Sequence, residues 1–316
     1  MSVPDDPVHS IWLDGGLVDA RGPHLNVSDR GFQLGDGVFE TARARRGVVI
    51  ELDEHLERLR QGCLALGLNL TVSDDQLVDG IAELLAAEGL DGAGESGGAV
   101  GDAALRITVT RGPLERRGLL PAGFEDLAAT VALQCWPYAR PAAELLEHGI
   151  RAVSSAIRRD PASPLSGVKT TSRADYVYAR LEAARAGADD ALFLTIEGTL
   201  SEATAANLFV VAGSTLATPP LTAAILAGTT RTWLIAHAER LGLVLAEVDL
   251  RPAELVAADE AFLTGSVAGI VPLVSLDGRP VGSGRPGPRT RVLRQAREDW
   301  IDAMSMAALL PDPGEQ

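Results

Sequence analysis

A mixed α/β fold in two unequal lobes is what the sequence predicts, and three observations carry that expectation. Apolar residues make up 46% of the 316 residues, enough for a sizeable core and for more than one lobe. Strand-like runs and helical periodicities follow one another through most of the chain. Trp136-Pro137-Tyr138-Ala139-Arg140-Pro141 interrupts them as a linker. Two lobes on such a linker leave a cleft, a common place for a ligand.

The elements follow in order. Residues 10–17 and 37–51 contain strand-like runs, the second broken by a turn at Gly47. Over 53–68, Leu56, Leu59, Cys63 and Leu66 recur at helical spacing. Ser73 with Gln76 resembles a capping box opening a second helix to about residue 87. Residues 89–103, rich in Gly, Ala and acid, read as a loop, and 105–110 and 130–135 as strands. Beyond the linker, strands are expected near 151–157, 191–195, 207–211, 243–248, 260–264 and 270–275, and helices over 172–186, 229–241 and 288–304. The division expected is a small N-terminal α/β domain over 1–136, a linker over 137–147 and a larger C-terminal domain over 148–316.

The formal charge of −15 makes nucleic acid a poor partner, although a locally positive site can still take a small phosphorylated ligand. No apolar run reaches the ~20 residues of a membrane span. The segment 1–10 is acidic and lacks the basic-then-apolar pattern of a secretory signal. Cys63 and Cys135 form neither a disulfide framework nor a CxxC site, so a reduced cytoplasmic setting is expected. His9, His24, His55, His148 and His237 show no metal-ligand spacing, and no metal is expected. Gly282-Ser283-Gly284-Arg285-Pro286-Gly287 fits GxGxxG but lacks a strand–loop–helix context and reads as a loop.

One composition fact points to chemistry. Of the 28 basic residues only Lys169 is a lysine; the rest are arginines. Arginine stays protonated, whereas a desolvated lysine can act as an amine nucleophile. Several segments add to this. Gly228-Thr229-Thr230-Arg231 offers backbone N–H groups and hydroxyls at a helix start, suited to a phosphate, although an ordinary helix cap uses the same residues. Ser266, in Thr264-Gly265-Ser266-Val267-Ala268-Gly269, ends a strand and offers a second phosphate contact, or a plain turn. Glu202 precedes a hydrophobic strand, where it either faces the ring nitrogen of a pyridine cofactor or is a solvated loop acid. The segment 29–40, dense in glycine and charge, suits a loop over a ligand or a structural turn cluster.

Together, and in this order, these segments resemble the class IV aminotransferases, the fold-type IV pyridoxal-phosphate enzymes, over roughly residues 11–303. The resemblance implies pyridoxal 5'-phosphate as cofactor, with Lys169 in Gly167-Val168-Lys169-Thr170 holding it as a Schiff base and shuttling the proton. Glu202 matches the acid on the pyridine nitrogen. Arg58, in His55-Leu56-Glu57-Arg58-Leu59, matches the phosphate-binding arginine. Gly228, Thr229 and Thr230 match the phosphate loop, with Thr229 in place of an aliphatic residue, and Ser266 the second phosphate contact. Arg159 is a candidate partner of the cofactor hydroxyl. The resemblance also implies a small α/β domain, a larger mixed barrel-like C-terminal domain, a site at their interface and a homodimer. Substrates would be an amino donor and a 2-oxo acid acceptor.

Within the family, 29–40 looks most like D-amino-acid aminotransferases and 4-amino-4-deoxychorismate lyases, with Phe39 where the D-amino-acid type has tyrosine. Arg116 or Arg117 falls where that type binds the substrate carboxylate, although both also suit a solvated loop, and its companion histidine is absent near Gly118. Val267 and Ala268 are further candidate substrate contacts. A transaminase accepting D-amino acids is the expectation. Behind it stand the lyase, a branched-chain L-amino-acid or (R)-amine transaminase, and a non-catalytic relative.

Overall fold

The structure is a computed structural model that describes residues 9–92, 102–116, 118–120, 122–138 and 141–308. Parts of two expected segments, residues 93–101 of the loop and Ala139 and Arg140 of the linker, lie outside them. The chain forms two compact units. One holds Ser2–Ala139, Val168–Ser172 and Trp300–Gln316; the other holds Arg140–Gly167 and Arg173–Asp299.

The N-terminal unit is built on a six-stranded sheet. Its elements are β1 (Ser10–Leu13), β2 (Gly16–Asp19), α1 (Arg30–Leu34), β3 (Gly37–Arg45), β4 (Val48–Val49), α2 (Leu52–Leu66), α3 (Asp74–Ala87), β5 (Asp102–Thr110) and β6 (Thr130–Pro137). Strand order is β2-β1-β6-β5-β3-β4, and the pairings are antiparallel. The run over 10–17 is thus a hairpin, because Asp14 (φ 49°) and Gly15 (φ 111°) reverse the chain in its middle. Arg46 and Gly47, both at positive φ, make the expected turn between β3 and β4.

In β5 burial alternates strictly, so Leu105, Ile107 and Val109 face the core. They pack with Leu133 and Cys135 of β6, Leu56 and Leu59 of α2, and Leu77 and Leu84 of α3. The Ser73–Gln76 capping box forms as expected, a device worth about 1 kcal/mol. Gly80 lets α3 approach closely: a Cβ there would lie 2.7 Å from the Trp12 indole.

The C-terminal unit holds α4 (Ala143–His148), β7 (Ile150–Arg159), α5 (Ala174–Arg185), β8 (Asp190–Thr195), β9 (Leu200–Ala203), β10 (Asn207–Ala212), β11 (Thr215–Thr218), α6 (Thr229–His237), β12 (Val244–Glu247), α7 (Pro252–Ala257), β13 (Glu260–Gly265), β14 (Gly269–Leu276) and β15 (Arg279–Pro280). The last helix, α8 (Pro288–Ala307), begins in this unit, and its residues from Trp300 on belong to the other. Strand order is β12-β11-β10-β13-β14-β7-β8-β9, with β15 beside β14. The sheet is mixed: β7 runs parallel to β8 and β14, and β11 to β12. Its core gathers Leu192, Leu200, Leu208, Leu263, Leu273 and their neighbours.

Six elements escape the sequence reading: α1, α4, α7, β9, β11 and β15 have two to six residues each, too few for a period to show. Among the described residues no helix is long and apolar enough to cross a membrane.

Candidate active site

In the N-terminal unit, strand β3 organises the candidate residues. Strand β4 is only two residues long and pairs with Ala44 and Arg45, which leaves the start of that edge of β3 uncovered by β4. The segment Val168–Ser172 docks there. Phe39 N–H donates to the Lys169 carbonyl (3.0 Å), Thr171 N–H donates to the Gly37 carbonyl (2.8 Å), and Val38 and Thr170 form an antiparallel bridge. The Thr171 hydroxyl adds a bond to the Gly35 carbonyl (2.8 Å). Lys169 is thus fixed by its main chain as an extra strand, and its Nζ lies 4.8 Å from the centre of the Phe39 ring. The Arg106 guanidinium lies 3.9 Å from the same ring centre.

The neighbouring residue, Glu40, points to the other face and is fully buried. It accepts from Arg58 Nε (2.7 Å) and Nη2 (2.6 Å), and from His55 Nδ1 (2.8 Å). Burial by itself raises the Glu40 carboxyl, but the bonds from Arg58 and His55 outweigh it and hold the pKa down at about 2. An ionised carboxylate only accepts, so His55 carries its proton on Nδ1. Its buried Nε2 has no hydrogen-bond partner. The expected phosphate arginine, Arg58, is therefore gripped from behind by an anion that cannot let go above strongly acid pH.

Segment 29–40 comprises the cap of α1, that helix, a turn at 35–36 and the start of β3. Asp29 caps α1, and Asp36 accepts from Arg30 (3.1 Å) and Arg111 (2.7 Å). Arg30 also donates to the carbonyls of Gly118 and Leu119. Arg116 is exposed and donates to the Ala122 carbonyl (3.2 Å); Arg117 lies outside the described residues.

In the C-terminal unit, Gly228 is the N-cap of α6, with no side chain capping it. Thr229 and Thr230 form the first turn, as the sequence predicts. The Thr229 and Ser266 hydroxyls are 3.1 Å apart, so the two expected phosphate contacts do meet. Thr230 is 2% exposed, yet its Oγ1 has no hydrogen-bond partner, and the same holds for the buried Oγ1 of Thr264 beside Ser266. A bare helix start with an orphaned hydroxyl and two converging ones fits a phosphate group. Arg231 of the same motif is turned elsewhere: it pairs with Glu247 (2.5 Å) and donates to the Pro219 carbonyl.

Glu202 sits within β9 and is 6% exposed, so the solvated loop acid is ruled out. Its Oε2 accepts the Leu226 N–H (2.9 Å). Arg159, at the end of β7, donates to the Ser166 carbonyl (3.2 Å) and lies 5.1 Å from the centre of the Tyr176 ring. Arg173 lies 3.1 Å from that ring centre and donates to the Thr204 carbonyl (3.0 Å). Burial, and next the negative charge of Glu202, raise the Tyr176 hydroxyl, while burial pulls the Arg173 guanidinium down. Val267 and Ala268 are half-buried in the turn between β13 and β14.

Sequence reasoning missed Glu40, Arg106, Tyr176 and Asn207. Alternation along β3 and β5 signals the first two; Tyr176 hides in a helical run that shows only an ordinary period.

Comparison with known proteins bears on the class to which this mixed fold belongs. The family model for class IV aminotransferases matches residues 37–276. The chain is 35% identical to the putative branched-chain-amino-acid aminotransferase of Methanocaldococcus jannaschii, over 92% of this chain and 95% of that one. It is 30% identical to the D-alanine aminotransferase of Bacillus licheniformis, over 92% and 96%. Among solved structures it resembles a branched-chain amino acid aminotransferase crystallised with pyridoxamine 5'-phosphate, with TM-score 0.85, 26% identity, and 94% and 95% of the two chains covered. The chain belongs to the class IV aminotransferases, fold-type IV enzymes that use pyridoxal 5'-phosphate.

Proposed function

We propose that the chain transfers the amino group of amino acids with aliphatic side chains to a 2-oxo acid. The observation that carries this reading is the Phe39 ring, shared by Lys169 Nζ at 4.8 Å and the Arg106 guanidinium at 3.9 Å. It sets an apolar platform and a carboxylate-binding cation beside the candidate nucleophile. The bound cofactor supplies an electron sink for the α-carbon. Lys169 Nζ holds the cofactor and then moves the proton from the substrate α-carbon. Glu202 keeps a proton on the ring nitrogen. Arg58, Gly228, Thr229, Thr230 and Ser266 hold the phosphate, and Arg159 with Tyr176 serves the ring hydroxyl.

The expectation of D-amino acids rests on the likeness of 29–40 to that type and on Arg116 or Arg117 as carboxylate clamp. The exposure of Arg116 and its bond to Ala122 favour Arg106 for that role in this proposal. The 30% identity to a D-alanine aminotransferase keeps D-substrates as the second reading.

The test is a half-reaction screen followed by cofactor absorbance. L-leucine and L-valine should bleach the visible band faster than D-alanine, and Arg106→Ala should raise KM about tenfold or more. Faster bleaching by D-alanine restores the second reading. Release of 4-aminobenzoate from aminodeoxychorismate, with no bleaching by any amino acid, reassigns the chain as a lyase.

Assembly as a homodimer is part of the same proposal. Leu25, Val27, Phe32 and Leu34 are exposed, and Arg30 brings Leu119 and Leu120, also exposed, beside them. A second copy would cover this apolar surface. Light scattering should return twice the chain mass, and Phe32→Asp should shift it toward the monomer.

A further inference from the structure

The geometry points to Asn207 as the positioning residue that locks Glu202 and the phosphate-binding turn into one piece; the inference rests on the cofactor roles proposed above. Asn207 opens β10, its backbone paired with Thr264 of β13, and its side chain is buried. Its Nδ2 donates to the Leu226 carbonyl (2.9 Å) and reaches Glu202 Oε2 at 3.5 Å. Both partners only accept, so the amide has one permitted orientation. The same Glu202 oxygen takes the Leu226 N–H. One carboxylate and one amide thus hold both polar groups of the Leu226 main chain, and each also touches the other.

Leu226 stands two residues before the N-cap of α6. The amide reaches that cap directly: a Cβ on Gly228 would collide with Asn207 Oδ1 and lie 3.3 Å from its Cγ. Gly228 has φ −72° and ψ 139°, a conformation open to any residue. Space against Asn207, not backbone freedom, requires glycine at 228. A neutral donor is equally required at 207. Aspartate would keep the shape, lose both donated bonds and set a second carboxylate beside Glu202. The acid at the ring nitrogen and the cup for the phosphate are therefore one hydrogen-bonded body, and disturbing either moves the other.

The test compares wild type, Asn207→Asp and Gly228→Ala. Readouts are pyridoxal-phosphate affinity of the apoprotein, competition by inorganic phosphate, thermal unfolding, and the nitrogen-15 resonance of the ring nitrogen at saturating labelled cofactor. Asn207→Asp should weaken the cofactor at least tenfold and inorganic phosphate by a similar factor, although no role at the phosphate is assigned to residue 207. Gly228→Ala, which pushes on the Asn207 amide from the side of the cup, should move the ring-nitrogen resonance toward the unprotonated form. A folded Asn207→Asp protein with wild-type phosphate affinity overturns the inference. So does a Gly228→Ala protein with weakened phosphate binding and an unmoved nitrogen resonance, and this variant decides alone if Asn207→Asp does not fold. A wild-type protein that takes up no cofactor sinks the cofactor roles instead.

Discussion

In the N-terminal unit Glu40 is fully buried and takes three hydrogen bonds from Arg58 and His55; in the C-terminal unit Thr230 is 2% exposed and its hydroxyl takes none. Each residue belongs to a phosphate contact proposed within its own unit. The first unit holds its contribution with internal charge, so function and stability share atoms. The second leaves a polar atom unpaired within the protein, a cost that a bound ligand would offset. Substitutions should therefore separate the units: stability should fall in one, and ligand affinity alone in the other.

The largest effect expected is at Lys169. Its segment is held by main-chain bonds to Gly37 and Phe39. Lys169→Arg keeps those main-chain bonds and the positive charge, so it should stay within about 1 kcal/mol of wild-type stability. Multiple turnover should disappear. Denaturant melts with steady-state rates check both halves, and an active Lys169→Arg enzyme would remove the central assignment.

Glu40→Gln comes next. Removing one member of a buried ion pair strands the other and costs about 3–5 kcal/mol, and here the stranded group is Arg58. Urea midpoints and cofactor affinity should fall together. Acid gives the same lesson without mutation. The Glu40 carboxyl is held down at about 2 when folded, against 4.5 for an ordinary glutamate, so the unfolded chain binds its proton first as pH falls. The stability Glu40 contributes is complete above pH 4.5 and drains away down to about 2. Glu40→Gln should flatten that part of the wild-type pH–stability curve; an equally steep curve would place the acid sensitivity elsewhere.

Why part of this was legible in sequence and part was not follows from the same contrast. Lys169, the Gly228-Thr229-Thr230 turn and the Ser73 capping box are local, and each announces itself over a few neighbouring residues. Most strands and helices follow from their period in the same way, down to the turn at Gly47. Glu40 with Arg58 spans 18 positions and Glu202 with Leu226 spans 24, pairings no local pattern encodes. The resemblance supplied Arg58 and Glu202 one by one but not what grips them. Arg116 shows the limit of local reading, because an arginine in a loop reads alike whether it binds a substrate or a carbonyl of its own loop such as that of Ala122.

Thr230→Val sharpens the comparison from the other side. Its hydroxyl has no partner, so an isosteric methyl should leave the apoprotein as stable as wild type, or slightly more so. Cofactor affinity should drop about tenfold, the worth of one hydrogen bond to a charged group. A loss of apoprotein stability equal to that of Glu40→Gln would erase the distinction between the two units.

The smallest effect belongs to Arg116. It is exposed and its guanidinium serves the Ala122 carbonyl, a contact worth little at the surface. Arg116→Ala should leave KM for amino-acid donors within about twofold and stability within about 0.5 kcal/mol. The comparison is with Arg106→Ala, whose guanidinium stacks on the ring that Lys169 also approaches. If Arg116→Ala raises KM for D-amino acids alone and Arg106→Ala does not, the carboxylate clamp returns to the loop and D-substrates become the leading reading.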